Sequence, residues 1–256
     1  MKIVAIIQAR MGSRRLPGKS LLNLVGKPAL QHVLERVSLS TLIDEIWLAT
    51  TLKEEDSKIV SLAKKLNLKY YRGKVNDVLD RYYQTAKRAK ADVIVRITGD
   101  CPLIDYKIID KVIKFFLDNS PRFDYVSNVI PPTFPDGLDV EVFSRKALAK
   151  AWQKAKWFSE REHVTPYITQ HAELFKLGNV VSRKDFSQYR LTLDNKEDLE
   201  FLKLVARECQ KVKRYCGLEE IIKILKDHPD WLEINLRIKR NEGYSKSLRE
   251  DKIFKR

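Results

Sequence analysis

The chain has 256 residues, of which 44% are hydrophobic, and this is enough apolar material for one large α/β domain or for a domain with a smaller appendage. No apolar run approaches the ~18 residues of a membrane-spanning helix, and the first residues, MKIVAIIQAR, lack the long apolar stretch and cleavage site of a signal peptide. We therefore expect a cytoplasmic protein.

The formal charge of +15 is compatible with nucleic-acid binding. However, residues 237–256 alone hold eight Lys or Arg against three Asp or Glu. The sequence also lacks zinc-finger spacing, an RNA-binding aromatic motif and a heptad zipper. Three cysteines without a CxxC pair predict neither a disulfide framework nor a zinc site. Non-catalytic nucleic-acid binding therefore stays a less favoured alternative, and we expect no nucleic-acid or membrane partner.

Strand-like and helix-like segments alternate over the first half of the chain, which is typical of a mostly parallel sheet covered by helices. The predicted strands are Lys2–Gln8, Glu45–Thr51, Lys69–Gly73 and Asp92–Ile97. Helices are predicted from Pro28, from about residue 54 to 66, after Asp77 as N-cap, and around Ile108–Phe116. The predicted fold class is thus α/β, with a Rossmann-like sheet flanked by helices.

The second half is interrupted by VIPPTFPDGLD, a stretch rich in turn-forming residues. We expect the chain to leave the main sheet there and to form a small inserted α+β segment at about 129–185, with a strand VEVF and helices from about Lys146 and Ser159. The run YRLTLD (Tyr189–Asp194) predicts a returning strand, and KEDLEFLKLVARE its helix. One main domain over 1–236 would then be followed by a basic tail, 237–256, that frays.

The loop QARMGSRRLPGK (Gln8–Lys19) follows the first predicted strand and carries four cations and no acid. Ligands of open α/β sheets bind where strands end, and a glycine-containing loop with arginines suits phosphate oxygens. The pattern GxxxxGK[ST] of the common P-loop is absent. The loop therefore predicts a polyphosphate site, although an exposed loop with solvated cations is an alternative.

Two aspartates end other strand-like runs, Asp100 after the fourth predicted strand and Asp194 after RLTLD. Mg²⁺ prefers one or two carboxylates together with phosphate oxygens of the substrate. A metal-assisted displacement at phosphorus needs little more than this pair and the cationic loop. For Asp100, a role as turn former or helix cap is the alternative.

The segment QARMGSRRLPGKSLLNLVGKPALQHVLERV resembles the opening of the cytidylyltransferases that activate acidic sugars as CMP-sugars, the acylneuraminate and 3-deoxy-manno-octulosonate enzymes. Their signature, A-R-x-x-S-x-R-x-P-x-K, is met at Ala9, Arg10, Ser13, Arg15, Pro17 and Lys19. RITGDCPLID, DYVSN, PDGLDVEVFSRKAL and EREHVTPYI are similar to the branch named for spore-coat polysaccharide biosynthesis protein F. The resemblance covers about residues 1–205. Thr98 and Cys101 depart from the octulosonate branch, which leaves the acceptor sugar open.

The resemblance implies a GT-A-type nucleotidyltransferase that uses CTP and Mg²⁺, releases pyrophosphate and forms a homodimer through the inserted segment. Four residues would be catalytic: Lys19, Arg10, Arg15 and Asp100. The nucleotide would be bound by Ala9, Arg10, Gly12, Ser13, Arg15, Lys19, Arg72, Gly73 and Asp80. Asp100 and Asp194 would bind the metal.

The acceptor is expected under the inserted segment. The candidate acceptor-binding residues are Asn128, Asp139, Glu141, Arg161 and His163; surface ion pairs and a core histidine are the alternatives. The leading hypothesis is transfer of CMP to a sugar-like or sugar-phosphate acceptor in cell-surface polysaccharide synthesis. A glycosyltransferase that uses a nucleotide sugar, with Asp139-Val140-Glu141 as metal motif, is the alternative.

Overall fold

A computed structural model describes residues 1–212 and 215–254. Its centre is a seven-stranded sheet of order β5-β4-β1-β6-β8-β7-β9, and a separate hairpin pairs β2 with β3. The strands are β1 Ile3–Gln8, β2 Asn23–Leu24, β3 Lys27–Pro28, β4 Glu45–Thr51, β5 Lys69–Gly73, β6 Val93–Thr98, β7 Tyr125–Ser127, β8 Glu141–Ser144 and β9 Leu177–Asn179.

Helices cover both faces of the sheet. They are α1 Ala29–Val37, α2 Ser57–Lys65, α3 Val78–Ala89, α4 Tyr106–Asp118, α5 Arg145–Lys154, α6 Phe158–His163, α7 Pro166–Thr169, α8 Lys196–Lys211, α9 Leu218–Asp227 and α10 Glu242–Arg249. Short 3₁₀ helices span Lys19–Leu21, Glu54–Asp56 and Pro229–Ile234. In the part of the chain that is described, no helix has the length and apolar character to cross a membrane.

The central strand β1 shows why the sheet needs two cores. Ile3, Ala5 and Ile7 pack into a core built with α1, α4 and α8, whereas Val4 and Ile6 pack into a second core with α3 and α5. A strand buried on both faces reads as a continuous apolar run, as IVAII does. The predicted α/β class, a mostly parallel sheet flanked by helices, is confirmed.

Strand register aligns the carboxyl ends that carry the candidate site. β1 pairs in parallel with β4 and with β6, and Gln8 is opposite Ala49 on one side and Thr98 on the other. The cationic loop after Gln8 and the aspartate two residues after Thr98 therefore leave the sheet at the same edge.

The segment 129–185 was expected to leave the main sheet, and this expectation is wrong. β8 lies between β6 and β7 and is antiparallel to both, and β9 forms one edge of the same sheet. The reason lies in the side chains of β8: Val142 belongs to one core and Phe143 to the other. A strand that is apolar on both faces is placed in the interior of a sheet.

The run Tyr189–Asp194 is extended but is not a strand of the sheet. A single bridge joins Arg190 to Asp136. The backbone N–H of Leu191 donates to the carbonyl of Asp136, and that of Leu193 to the carbonyl of Asp100. The run therefore pairs with loop ends, while its two leucines are fully buried.

Two expectations for the C-terminal part also differ from the structure. The tail does not fray over its described residues, because Phe158 N–H donates to the Lys252 carbonyl and Phe254 N–H to the Lys156 carbonyl. Cys209 and Cys216 form a disulfide that joins the end of α8 to the start of α9. Two cysteines seven residues apart carry no CxxC signal, so the pairing was missed.

Candidate active site

The cationic loop is held in shape by its own backbone and by one aspartate. The N–H groups of Ser13 and Gly18 both donate to the carbonyl of Met11. The Met11 N–H in turn donates to the Asp56 carboxylate at 2.6 Å. Gly18 has φ +70°, a left-handed conformation that other residues rarely adopt, and it leads directly into the 3₁₀ turn that starts at Lys19.

Lys19 lies between the two aspartates. Its Nζ is 2.6 Å from Oδ2 of Asp100 and 2.7 Å from Oδ1 of Asp194, and its side chain is only 14% exposed. Asp100 is 81 residues from Lys19 in sequence and Asp194 is 175 residues from it, yet the two aspartates share the one ammonium group. The two carboxylates are brought together because Leu193 N–H donates to the Asp100 carbonyl at 2.8 Å.

Two of the three arginines of the loop also face carboxylates. Arg15 is 2.8 Å from Asp194 and 3.7 Å from Glu242 of α10, and Arg10 is 3.5 Å from Glu162 of α6. Arg14 is exposed. These carboxylates offset the mutual repulsion of the loop cations. The Arg10–Glu162 and Arg15–Glu242 pairs are 27–55% exposed, and ion pairs in contact with solvent contribute little to stability.

Arg190 forms an ion pair with Asp194, and this residue was not predicted from the sequence. The Arg190 guanidinium is 3.2 Å from Asp194, and it also pairs with Asp136 at 2.7 Å and Asp198 at 2.9 Å. Asp198 is completely buried, and its Oδ2 accepts from the backbone N–H of Asp194 at 2.9 Å. The only available signal was the position of Arg190 four residues before Asp194.

Gly99 sets the position of Asp100. A side chain at residue 99 would place its Cβ 2.7 Å from the Gln8 carbonyl oxygen and 3.0 Å from Cβ of Ala9. Glycine thus lets the end of β6 approach the end of β1, and Asp100 then points toward the loop.

The charges in this cluster stabilise one another. Burial alone would lower the pKa of Lys19, but the attraction of Asp100 and Asp194 outweighs burial and raises it. Burial alone would raise the pKa of Asp194, but Lys19 and Arg15 outweigh burial and lower it. Lys19 is therefore charged and Asp194 ionised at neutral pH.

The described residues contain no cluster of three or more His, Cys, Asp or Glu arranged around a metal position. Asp100 and Asp194 nevertheless fit Mg²⁺, because two carboxylates already share one cation and Mg²⁺ takes its remaining ligands from water and substrate phosphates. The donor chemistry is thus compatible with a metal that enters together with a nucleotide.

The other predicted nucleotide-binding residues lie in the loop itself, at the carboxyl end of β5 and in the first turn of α3. Ala9 N–H donates to the Ala49 carbonyl at 3.2 Å. Arg72 donates to the carbonyls of Thr51 and Lys53, both at 2.8 Å. Gly12 is exposed, the Ser13 hydroxyl accepts from Leu16 N–H, Gly73 packs on Arg81, and Asp80 accepts from Trp152 Nε1 at 2.8 Å.

Three of the five candidate acceptor-binding residues are used inside the protein instead. Asn128 is fully buried, and its amide donates to the Leu138 carbonyl and accepts from Val140 N–H. Because both halves of this amide are bonded to the main chain, Asn128 joins the end of β7 to the residues before β8. We therefore correct its assignment to a structural one.

Glu141 and Arg161 need the same correction. Glu141 is buried and accepts from Arg96, Tyr125 and Thr165. Arg161 is 1% exposed and makes two bonds to Asp77 and one to the Trp152 carbonyl. Since Glu141 is buried and both its carboxylate oxygens are bonded within the protein, the structure does not favour Asp139-Val140-Glu141 as the metal motif of a glycosyltransferase.

The remaining two candidates, Asp139 and His163, are partly exposed and are contacted by the C-terminal segment. Arg240 donates to Asp139 at 2.5 Å, and Ser247 lies 3.0 Å from Nε2 of His163. Burial raises the pKa of Asp139 to about 7 and lowers the pKa of His163 to about 4. The basic composition of the tail gave no signal that Arg240 would reach this side of the site.

Comparisons with known proteins point to one family. The family model described as cytidylyltransferase matches residues 4–237. An uncharacterized protein of Methanocaldococcus jannaschii is 41% identical over 254 residues, which is 98% of this chain and 99% of the relative. Spore coat polysaccharide biosynthesis protein SpsF of Bacillus subtilis is 33% identical over 235 residues, covering 89% of this chain and 95% of SpsF.

A solved structure shares the fold over nearly the whole chain. The cytidylyltransferase from Leptospira borgpetersenii is 37% identical, with a TM-score of 0.87 and coverage of 94% of this chain and 100% of that one. The resemblance noted in the sequence is confirmed, since the family model spans most of the chain and the fold agrees. The chain belongs to the cytidylyltransferase family.

Proposed function

We propose that the protein transfers CMP from CTP to a sugar-like or sugar-phosphate acceptor, with release of pyrophosphate, in the synthesis of a cell-surface polysaccharide. The observation that carries this proposal is the meeting of Arg15 and Lys19 with Asp100 and Asp194 at one sheet edge. The name of SpsF, a polysaccharide biosynthesis protein, supports the acceptor class. The cytoplasmic location and the homodimer remain parts of the proposal.

The proposed chemistry needs no covalent intermediate on the protein. An oxygen of the acceptor attacks the α-phosphorus of CTP, and the bond between that phosphorus and the pyrophosphate oxygen breaks. Lys19 stabilises charge on the α-phosphate, while Arg10 and Arg15 bind the leaving pyrophosphate. Mg²⁺, held by Asp100 and Asp194, would withdraw further charge from the phosphate oxygens.

The remaining contacts of the nucleotide and acceptor follow from position. Asp139 and His163 are the side chains left to face the acceptor. The loop, the end of β5 and the first turn of α3 would contact phosphate, ribose and cytosine through Ala9, Gly12, Ser13, Arg72, Gly73 and Asp80. Substitution of each of these residues, with the Kd for CTP as the measurement, tests its assignment.

Incubation with CTP, Mg²⁺ and an acceptor panel tests the function directly. Pyrophosphate release that depends on 3-deoxy-manno-octulosonate, an acylneuraminate or a sugar phosphate is expected. Release of nucleoside diphosphate from a nucleotide sugar, without pyrophosphate from CTP, would instead favour a glycosyltransferase. A thermal-shift comparison of the four nucleoside triphosphates with Mg²⁺ checks the preference for cytosine.

Two substitutions test the assigned roles. Asp100→Asn should abolish pyrophosphate release without loss of fold, because asparagine has nearly the shape of aspartate but lacks the negative charge that would bind the metal. Lys19→Ala should lower kcat/KM by a factor on the order of 10² or more, as expected when a preorganised charge is lost. Asp185→Asn is the matched control, since Asp185 is exposed in a surface loop. Unchanged turnover in Asp100→Asn would reject the site.

A further inference from the structure

The ammonium group of Lys19 takes the position that a cation shared by the two aspartates needs. It is 2.6 Å from one carboxylate and 2.7 Å from the other, and it is shielded from solvent. Over residues 1–212 and 215–254, Lys19 is the only ion-pair partner of Asp100. Asp194 has three cationic partners, Lys19, Arg15 and Arg190. The pair is therefore already neutralised by the protein itself.

We propose that Lys19 is an internal counter-ion that keeps the metal position closed until a nucleotide arrives. The inference rests on the proposed function, because it takes Asp100 and Asp194 as the metal ligands. A divalent cation and the ammonium group cannot both lie between the two carboxylates. Metal binding then requires Lys19 to leave, and a triphosphate gives its charge a new partner.

The side chain of Lys19 is suited to this exchange. Its backbone is fixed at the start of a 3₁₀ turn, whereas the four-carbon stem can rotate and carries a compact charge with three donors. Moving the ammonium from carboxylate to phosphate replaces one charge-assisted hydrogen bond by another. The exchange leaves both anions paired, and it makes binding ordered: nucleotide with metal, not metal alone.

Mn²⁺ titration of the protein without nucleotide tests this order, with free Mn²⁺ followed by electron paramagnetic resonance. Wild type should bind Mn²⁺ weakly. Lys19→Met, which keeps the stem and removes the charge, should lower the Kd for Mn²⁺ at least tenfold. Lys19→Gln is a second variant with the same expected result, and far-UV circular dichroism checks the fold of both.

Arg15→Met is the matched comparison. It also removes one positive charge from Asp194, but Arg15 does not lie between the two carboxylates. If Lys19 acts by occupying the shared position, Arg15→Met should change the Kd for Mn²⁺ less than threefold. Lys27→Met, on an exposed lysine paired with Glu35, should not change it at all. Equal tightening in Arg15→Met and Lys19→Met, or no tightening in the Lys19 variants, would overturn the inference.

The outcome is separable from that of the proposed function. Mn²⁺ binding is measured without CTP and without acceptor, so it needs no turnover. Pyrophosphate release by wild type together with unchanged Mn²⁺ binding in Lys19→Met rejects the counter-ion role alone. Tighter Mn²⁺ binding in the variant, without pyrophosphate release by wild type under any condition, rejects the proposed reaction alone.

Discussion

The buried pair of Arg161 and Asp77 offers the sharpest test of the structural assignments. Arg161→Met removes two bonds to Asp77, at 2.9 and 2.5 Å, and one bond of 2.8 Å to the Trp152 carbonyl. The side chains are only 2% and 7% exposed, so the carboxylate of Asp77 would be left buried and without its cation. Removing one partner of a buried pair costs about 3–5 kcal/mol of unfolding free energy.

Urea unfolding followed by circular dichroism measures this loss. A chain of this size loses roughly 2–4 °C in Tm for each kcal/mol, so Arg161→Met should lower the Tm by roughly 6–20 °C. Arg161→Met combined with Asp77→Asn should be more stable than Arg161→Met alone, because the second change removes the unpaired charge. Arg145→Met, on an exposed arginine, should stay within about 0.5 kcal/mol of wild type.

The opposite pattern would refute the reasoning. If Arg161→Met unfolds within about 1 kcal/mol of wild type but loses pyrophosphate release, Arg161 contacts a substrate. The pair then does not contribute to stability as its burial implies.

Three further changes probe the surroundings of the site. Asp198→Ala should lose about 3 kcal/mol of stability and also lower kcat/KM, because it frees Arg190, which pairs with Asp194; a kcat/KM equal to that of wild type would contradict this. Burial lowers the pKa of His163 to about 4, below its value in the unfolded chain. The unfolding free energy of wild type should therefore fall by about 2 kcal/mol relative to that of His163→Gln as pH falls from 6.5 to 4. Urea unfolding at several pH values measures this difference, and parallel pH profiles of the two proteins would argue against it. Gly137→Ala should cost several kcal/mol in the same assay, because φ is +102° and a Cβ would lie 2.5 Å from the carbonyl carbon of Leu191.

The local part of the fold could be predicted because its signal is local. β4 and β5 begin and end at the predicted residues, β1 begins one residue later than predicted, and β6 is shifted by one residue at both ends. For β1 and β6 the signal is a continuous apolar run rich in β-branched residues, as expected of strands buried on both faces. Asp77 does cap α3, where its side chain accepts from Asp80 N–H. The cationic loop was recognisable for the same reason, because its cations, glycines and proline lie within twelve residues.

The long-range part could not be predicted from the same sequence. Arg161 is a buried arginine whose partner, Asp77, lies 84 residues away. In the sequence, such an arginine cannot be distinguished from one that binds a ligand. Arg240, which reaches Asp139, lies 101 residues from it in a segment that reads as a basic tail. Residues 189–194 have the alternation of a strand, but the pattern does not reveal that their partners are loop ends.

Pairing of the loop cations with carboxylates gives the candidate active site no excess of positive charge. Four cations there face six carboxylates: Arg10, Arg15, Lys19 and Arg190 against Asp100, Asp136, Glu162, Asp194, Asp198 and Glu242. The net +15 of the chain therefore comes from residues outside this cluster, many of which are exposed lysines and arginines of the described surface. Such a surface attracts a nucleoside triphosphate from a distance and speeds its arrival, whereas its final affinity depends on how readily the inner carboxylates release their cations.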